Sequence, residues 1–424
     1  MIAWLLKVRI KTIVLLVIIL IIFFFKKRIK DENESKRTIL LWWTPFLYED
    51  QKLISCDTIY ECIVTKNRSL RERATAFLFY GSNFDKNDLP LPKNNVPWAM
   101  FHEESPKNLP FFLYREGQEM FNITSTFSRN SDLPLTLQYL EDIDAITDTR
   151  YYLPVDEKNK LLKEIAPVLY IQSDCETPVE RDFYVSELMK FIKVDSYGKC
   201  LNNKKMPKEL TLEKTLENLY DPHLMKFVSR YKFAIAIENA VCQDYITEKL
   251  WRPLMAGSIP IYLGSPSIKE WLPTSRSALL ISDYDNISNL ADYIKTINSN
   301  DTLYKQYMEH KILRKISNHR LKNACRKGSF GIENNDDFTI PAFECFVCKT
   351  INKGLYRRHY DSVYTCEKPK SNNLSIQNWW ITHWESGKCE AKTLQYFIET
   401  LKVSNYSKET FENKYAELLQ NRYC

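Results

Sequence analysis

From about residue 156 the chain alternates short apolar runs with amphipathic stretches, the order expected of a parallel sheet wrapped by helices. Strands are expected at Pro167–Gln172, Phe191–Ser196, Phe233–Glu238, Ile259–Leu263 and Ala278–Ser282. Helices are expected at Pro178 to about Lys190, about Tyr245 to Ala256, Ser288–Asn298 and Leu303–Ile316. The first of these helices has a marked start. Thr177-Pro178-Val179-Glu180 reads as a capping box, with Pro at the first helical position. Gly257 reads as a C-cap. Earlier β-like runs lie at Ile39–Trp43, Ala74–Tyr80, Pro97–Phe101 and Phe121–Phe127, between polar, Pro- and Asn-rich turns. A chain of 424 residues exceeds what one core usually supports, so two domains are expected, and there is no internal repeat. We divide it into 38–155, 156–340 and a Cys-containing C-terminal extension, 341–424.

The charge is unevenly placed. Residues 1–37 hold nine basic and three acidic side chains, which accounts for the net +6. Taking these from the chain's 59 basic and 53 acidic residues leaves 50 of each over 38–424. A neutral body without a basic stripe argues against nucleic acid as a partner. Thr12–Phe25 is uncharged and apolar, with Lys7, Arg9 and Lys11 before it and Lys26, Lys27, Arg28 and Lys30 after it. A bilayer core takes about 20 apolar residues, and Ile10 with the stems of Arg9 and Lys11 can extend the run by snorkelling. A cleaved signal peptide would end in small residues, whereas this run ends in Phe-Phe-Phe. We therefore expect an uncleaved signal-anchor at 12–25, a tail at 1–11 and a stem at 26–37. Flanking charge leaves the orientation open, because both sides are basic.

Eleven cysteines, all after the anchor, and sequons at Asn33, Asn67, Asn122, Asn286, Asn300, Asn373 and Asn405 fit an oxidising lumen. An odd number of cysteines leaves at least one free or intermolecular.

With only nine glycines and no Gly-rich phosphate loop, any nucleotide must be held by side chains and helix N-termini. Asp142-Ile-Asp144 and Asp283-Tyr-Asp285 have the spacing of a Mn²⁺-diphosphate chelate, although a solvated turn is the simpler reading. The stretch Tyr231–Gly264 is more informative. An apolar strand ends in Glu238-Asn239, and a short loop leads to Tyr245, Glu248 and Lys249 at the start of a helix. Nucleotides bind at this place in open α/β sheets. A Lys in the first turn opposes the helix dipole, so it needs an anionic partner: a diphosphate, or simply Glu248. Arg181, at the start of the helix after Pro167–Gln172, poses the same question.

The same stretch closely resembles the donor motif of glycosyltransferase family 10, the α1,3-fucosyltransferases. Glu238, Asn239, Asp244, Tyr245, Thr247, Glu248, Lys249, Ala256, Gly257, Pro260 and Gly264 fit it; Ile237 replaces a Phe, and Pro253 interrupts the helix. Further matches are Trp98 with Glu104-Ser105-Pro106, Phe121 through Arg129 to Ser131-Asp132, and Arg181 with Tyr184. HEESP, TEKLWRP and FECFVC look most like the divergent branch numbered ten and eleven in vertebrates.

The resemblance implies a GT-B fold of two Rossmann-like domains, GDP-β-L-fucose as donor, inversion at the anomeric carbon and no required cofactor or metal. It implies that Arg181 and Lys249 hold the diphosphate, and that Glu238, Asn239, Tyr245 and Glu248 line the donor site. Glu104 is then the general base, with Glu103 the second choice; His102 reads as a packed histidine. It also implies that Cys345 and Cys348 clasp Cys56 and Cys62, paired as Cys56–Cys345 and Cys62–Cys348; Cys366 with Cys389 is a further suggestion. A zinc site on this C-x-x-C is the less favoured alternative. The expected activity is α1,3-fucosylation of GlcNAc on glycoprotein glycans, at the Golgi or endoplasmic reticulum membrane as a type II protein. The alternative is O-fucosylation of Ser or Thr in folded extracellular domains. An inactive, tethered carbohydrate binder is a third reading, opposed by the presence of a base.

Overall fold

The protein is described by a computed structural model over residues 37–44, 50–140, 142–210, 218–326, 336–356, 362–372, 378–401 and 406–424. The tail, the anchor, the stem to residue 36 and the sequons Asn33, Asn373 and Asn405 lie outside these residues. Among the described residues no helix is long and apolar enough to cross a membrane.

Two sheets carry the fold. The first comprises β1 (Thr38–Trp42), β2 (Gln51–Cys56), β3 (Tyr60–Thr65), β4 (Ala76–Tyr80), β5 (Trp98–His102) and β6 (Ile123–Thr126), in the order β2-β3-β1-β4-β5-β6. All its pairings are parallel except β2 with β3. Leu40, Ala76 and Ala99 are buried, as strands covered on both faces require. The β2–β3 hairpin was not expected. Its first strand alternates exposed and half-buried residues as far as the buried Cys56, without an unbroken apolar run, and its turn places Asp57 and Thr58 at positive φ.

The second sheet comprises β7 (Val168–Gln172), β8 (Val194–Gly198), β9 (Phe233–Ile237), β10 (Ile259–Leu263) and β11 (Leu279–Leu280). It is wholly parallel, in the order β11-β10-β9-β7-β8. Its helices include α1 (Val155–Leu161), α2 (Arg181–Met189), α3 (Pro222–Ser229), α4 (Glu248–Ala256), α5 (Ile287–Ser299) and α6 (Asp301–Tyr307). β7 turns outward to β8, and the chain then returns to place β9 on the other side of β7. The strand order therefore reverses between β7 and β9, where open sheets leave a crevice at their carboxyl ends.

Two expectations for this half need correction. The capping box does not form, because Thr177–Glu180 closes a turn (Glu180 N–H to Thr177 O, 2.9 Å) and α2 begins only at Arg181. Glu180 is left-handed (φ 50°), and its carboxylate instead accepts from Asn372 N–H at 2.7 Å. The helix expected at Leu303–Ile316 breaks at Met308, where ψ reaches 14°, and resumes as a turn at Glu309–Ile312. Gly257 caps α4 in the left-handed region as expected (φ 79°).

The chain end returns to the first sheet. α7 (Asp336–Lys353) packs on β1, β2 and β3, burying Phe343 and Val347, and the buried Glu344 accepts from Trp42 Nε1 at 2.9 Å. α8 (Trp379–Thr400) lies against residues 110–118 so closely that a Cβ on Gly387 would fall 2.5 Å from the Pro110 carbonyl carbon. α9 (Lys408–Gln420) packs on α8.

Disulfides join Cys56 to Cys345 and Cys62 to Cys348, so this C-x-x-C has no thiolates for zinc. Cys175 pairs with Cys200. The suggested Cys366–Cys389 bond is incorrect: Cys366 pairs with Cys242 and Cys389 with Cys424. Backbone bonds set the first of these, because Gln243 N–H to Thr365 O and Glu367 N–H to Val241 O, each 2.8 Å, lay the two cysteines opposite one another. Cys325 is the free thiol.

Candidate active site

β9 ends in the crevice, and Glu238, fully buried, immediately follows it. Its carboxylate accepts from the Thr247 N–H and Oγ1, both at 2.8 Å, so it braces the start of α4. Burial pushes the Glu238 carboxyl up to about 7 despite the opposing charge of Lys249. Gly264 makes room for it, since a Cβ there would sit 2.5 Å from Glu238 Cγ.

Thr247 is the N-cap of α4, accepting from Lys249 N–H at 3.3 Å. Lys249 Nζ lies 3.1 Å from Thr247 Oγ1, 3.3 Å from Glu248 Oε1 and 3.6 Å from Glu238 Oε2. Burial works against its charge, but Glu248, Glu238 and Glu104 outweigh it and raise its pKa. Two internal carboxylates thus already offset the dipole cost at Lys249, and its position alone does not demand a ligand.

Arg181 differs. It is 1% exposed, and its Nε donates to Asp174 O at 3.1 Å. Its Nη2 reaches the same carbonyl and Asp174 Oδ2 (3.2 Å), whereas Nη1 is buried without a hydrogen-bond partner among the described residues. Such an atom costs stability unless a ligand fills its bond. The Arg181 charge works against the raised pKa of Lys249, so the two cations feel one another across the crevice.

The residues expected to act on the acceptor follow β5. Glu104 Oε1 accepts from Ser105 N–H (2.8 Å), from Asn239 Nδ2 (3.0 Å) and from the Tyr245 hydroxyl. Ser105 Oγ completes the loop to Asn239 Oδ1 at 2.8 Å. Burial opposes ionisation of Glu104, yet the Tyr245 and Asn239 bonds and the Lys249 charge hold its carboxyl below the usual range. All three hydrogen bonds converge on Oε1, so Oε2 carries none among the described residues. Asn239 and Tyr245, expected to line the donor, are 6% and 1% exposed, and both bond to Glu104. Glu103 turns away to Tyr80, whose hydroxyl donates at 2.5 Å. His102 is a packed histidine, 2.6 Å from the Tyr364 hydroxyl, and burial lowers its pKa to about 4.

The clamp between the sheets was not expected, although Arg129 and Asp244 lie within the matched motifs. Arg129, beyond β6, donates from Nε to Asp244 Oδ2 (2.6 Å) and from Nη1 to Glu270 Oε2 (2.8 Å). Asp244 is fully buried with φ 66° and accepts also from Ser267 Oγ at 2.7 Å. The available signal was an Asp inside the motif next to Tyr245. Beside the crevice opens a cavity of about 560 Å³, reached by Tyr184, Val241, Gly264, Asp283 and Asp285. Asp283 there pairs with Lys269 at 2.9 Å, while Asp142 caps residues 143–147. Among the sequons, Asn67, Asn286 and Asn300 are exposed helix caps, and Asn122 accepts from Trp98 N–H at 3.1 Å inside the first sheet.

The sequence pattern "Glycosyltransferase family 10 (fucosyltransferase) C-term" matches residues 156–365, and "Fucosyltransferase, N-terminal" matches residues 34–139. The chain belongs to glycosyltransferase family 10. This fucosyltransferase is 43% identical over 396 residues to GDP-fucose protein O-fucosyltransferase 3 of Homo sapiens, covering 88% of this chain and 81% of that one. It is 42% identical over 383 residues to the protein of the same name from Gallus gallus, covering 85% and 80%. A solved structure, "Crystal Structure of alpha1,3-Fucosyltransferase with GDP", shares 19% identity at a TM-score of 0.43, over 71% of this chain and 91% of the other.

Proposed function

We propose that the chain transfers L-fucose from GDP-β-L-fucose to Ser or Thr hydroxyls of folded protein domains. One observation carries this reading: identity of 40% or more across most of the chain to proteins named GDP-fucose protein O-fucosyltransferase 3. The α1,3-transfer to GlcNAc that we expected first becomes the second reading. A GT-B arrangement of the two sheets, a membrane anchor and a Golgi or endoplasmic reticulum location remain part of the proposal.

In the proposed reaction Glu104 Oε2 takes the acceptor proton while Asn239 and Tyr245 hold Oε1. The acceptor oxygen bonds to the anomeric carbon from the face opposite the diphosphate. The bond from that carbon to the diphosphate oxygen breaks, its electron pair leaves with GDP, and the fucose configuration inverts. The growing charge on GDP meets Arg181 and Lys249, fixed cations that need no reorganisation. No step requires a metal.

The test presents labelled GDP-fucose and the full chain with GlcNAc-terminated glycans or with folded, disulfide-bonded extracellular domains, with and without EDTA. Label on folded domains, retained in EDTA and lost when the domains are reduced, is the expected result. Label on glycans alone would return the reading to α1,3-transfer, and strict Mn²⁺ dependence would assign a role to Asp283 and Asp285.

Lys249→Ala is expected to lower kcat by about 10²–10³-fold, the usual cost of one transition-state charge partner. The variant should remain folded, because Glu238 already titrates near 7 and can take up a proton when its partner is removed. Unchanged turnover would remove Lys249 from the site.

A further inference from the structure

A second lysine reaches the crevice from the other sheet. Lys107 lies in the single turn Pro106–Asn108, three residues beyond Glu104. Its side chain is 10% exposed, and Nζ lies 5.6 Å over the Trp380 ring and 2.7 Å from Asp174 Oδ2. That oxygen also takes Arg181 Nη2 at 3.2 Å. One carboxylate oxygen is thus shared by two cations, one from each half of the molecule, beside the unfilled bond of Arg181 Nη1. The Asp174 side chain is 49% exposed, so it can swing outward at little desolvation cost, whereas neither cation can leave.

We propose that Lys107 is a third ligand of the donor diphosphate and that Asp174 holds its place. This rests on the reading of Arg181 as a diphosphate ligand. A diphosphate carries more charge than one carboxylate and offers several acceptor oxygens, so it outcompetes Asp174 for both cations. Asp174 swings toward solvent, and Lys107 closes on the phosphates beside Arg181, which the Asp174 carbonyl holds in place. Lys107 then brings the Glu104 segment to the donor, placing the base against the anomeric carbon only once donor is bound. A simple salt bridge between the two halves would behave differently, because removing either partner would act in the same direction.

The deciding measurement is calorimetric titration of GDP, and separately of guanosine, into the full chain and its variants. Lys107→Ala is expected to weaken GDP about tenfold, the loss of one charge-assisted hydrogen bond, and Lys107→Arg to recover most of it. Asp174→Asn is expected to tighten GDP several-fold, because the internal competitor is gone. Guanosine, lacking phosphate, should bind all variants alike. If Lys107→Ala leaves GDP affinity unchanged, or Asp174→Asn weakens it, the inference fails while the reading of Arg181 stands. If GDP does not bind the unaltered chain, both fail.

Discussion

Glu104→Gln is expected to lower fucose transfer by about 10²–10⁴-fold, the usual contribution of a positioned base, while GDP affinity stays the same. Gln keeps an oxygen for Ser105, Asn239 and Tyr245, so the surrounding hydrogen bonds survive and the loss reports proton transfer alone. The pH profile carries a second signature. The Glu104 pKa lies below its ordinary 4.5, so the carboxylate is ionised throughout the neutral range. The kcat/KM of the unaltered chain should be flat there and fall only as pH drops through that depressed pKa. The hydrogen bonds of the ionised group contribute stability above the unfolded value of 4.5, and that contribution is lost as pH falls through the lower folded value. A Gln variant with full activity would eliminate Glu104, and transfer of the acid limb to Glu103→Gln would reassign the base.

Arg129→Ala should be the most destabilising single change in the site, by about 3–5 kcal/mol, as when one partner of a buried ion pair is removed. Asp244 has no solvent to turn to, and Glu270 loses a 2.8 Å partner at the same stroke. Lys should restore little of this, because the fork of Nε and Nη2 on Asp244 is specific to a guanidinium. Denaturant unfolding of Arg129→Ala, Asp244→Asn and the double variant supplies the check. The two effects should be far from additive, since either change abolishes the same contact. Additive losses below about 1 kcal/mol each would reduce the clamp to a surface pair. Transfer should fall with stability, because Asp244 immediately precedes Tyr245, which holds Glu104.

The sheets were legible where both faces are covered, because such strands read as unbroken apolar runs. β9 and β10 were placed within a residue for this reason. β2 was invisible because its exposed edge alternates charged, polar and apolar residues over only six positions. The capping box at Thr177 misled for a physical reason: the same Pro and carboxylate also serve a turn that hands Glu180 to Asn372. At the site, the two cations at helix starts meet different surroundings. Lys249 is answered by Glu238 and Glu248, its own neighbours, whereas Arg181 keeps an open donor. The bond from Asn239 to Glu104 spans 135 positions, and no local periodicity encodes it. Only the resemblance to a family assigned those two residues to one site. The three disulfides beyond the C-x-x-C pair lay beyond reach for the same reason.

The disulfides also set an order of events. Cys56 and Cys62 wait 289 and 286 positions for Cys345 and Cys348, and Cys242 waits 124 for Cys366. During synthesis the first sheet therefore emerges early but is locked late, after the whole second sheet has been made. Through that interval Cys56 and Cys62 are reactive thiols on an uncovered sheet, beside Cys175 and Cys200, which are only 25 positions apart and can close at once. The ribosome's order runs against the order of closure, so the chain relies on protection and thiol exchange to reach its native pairing.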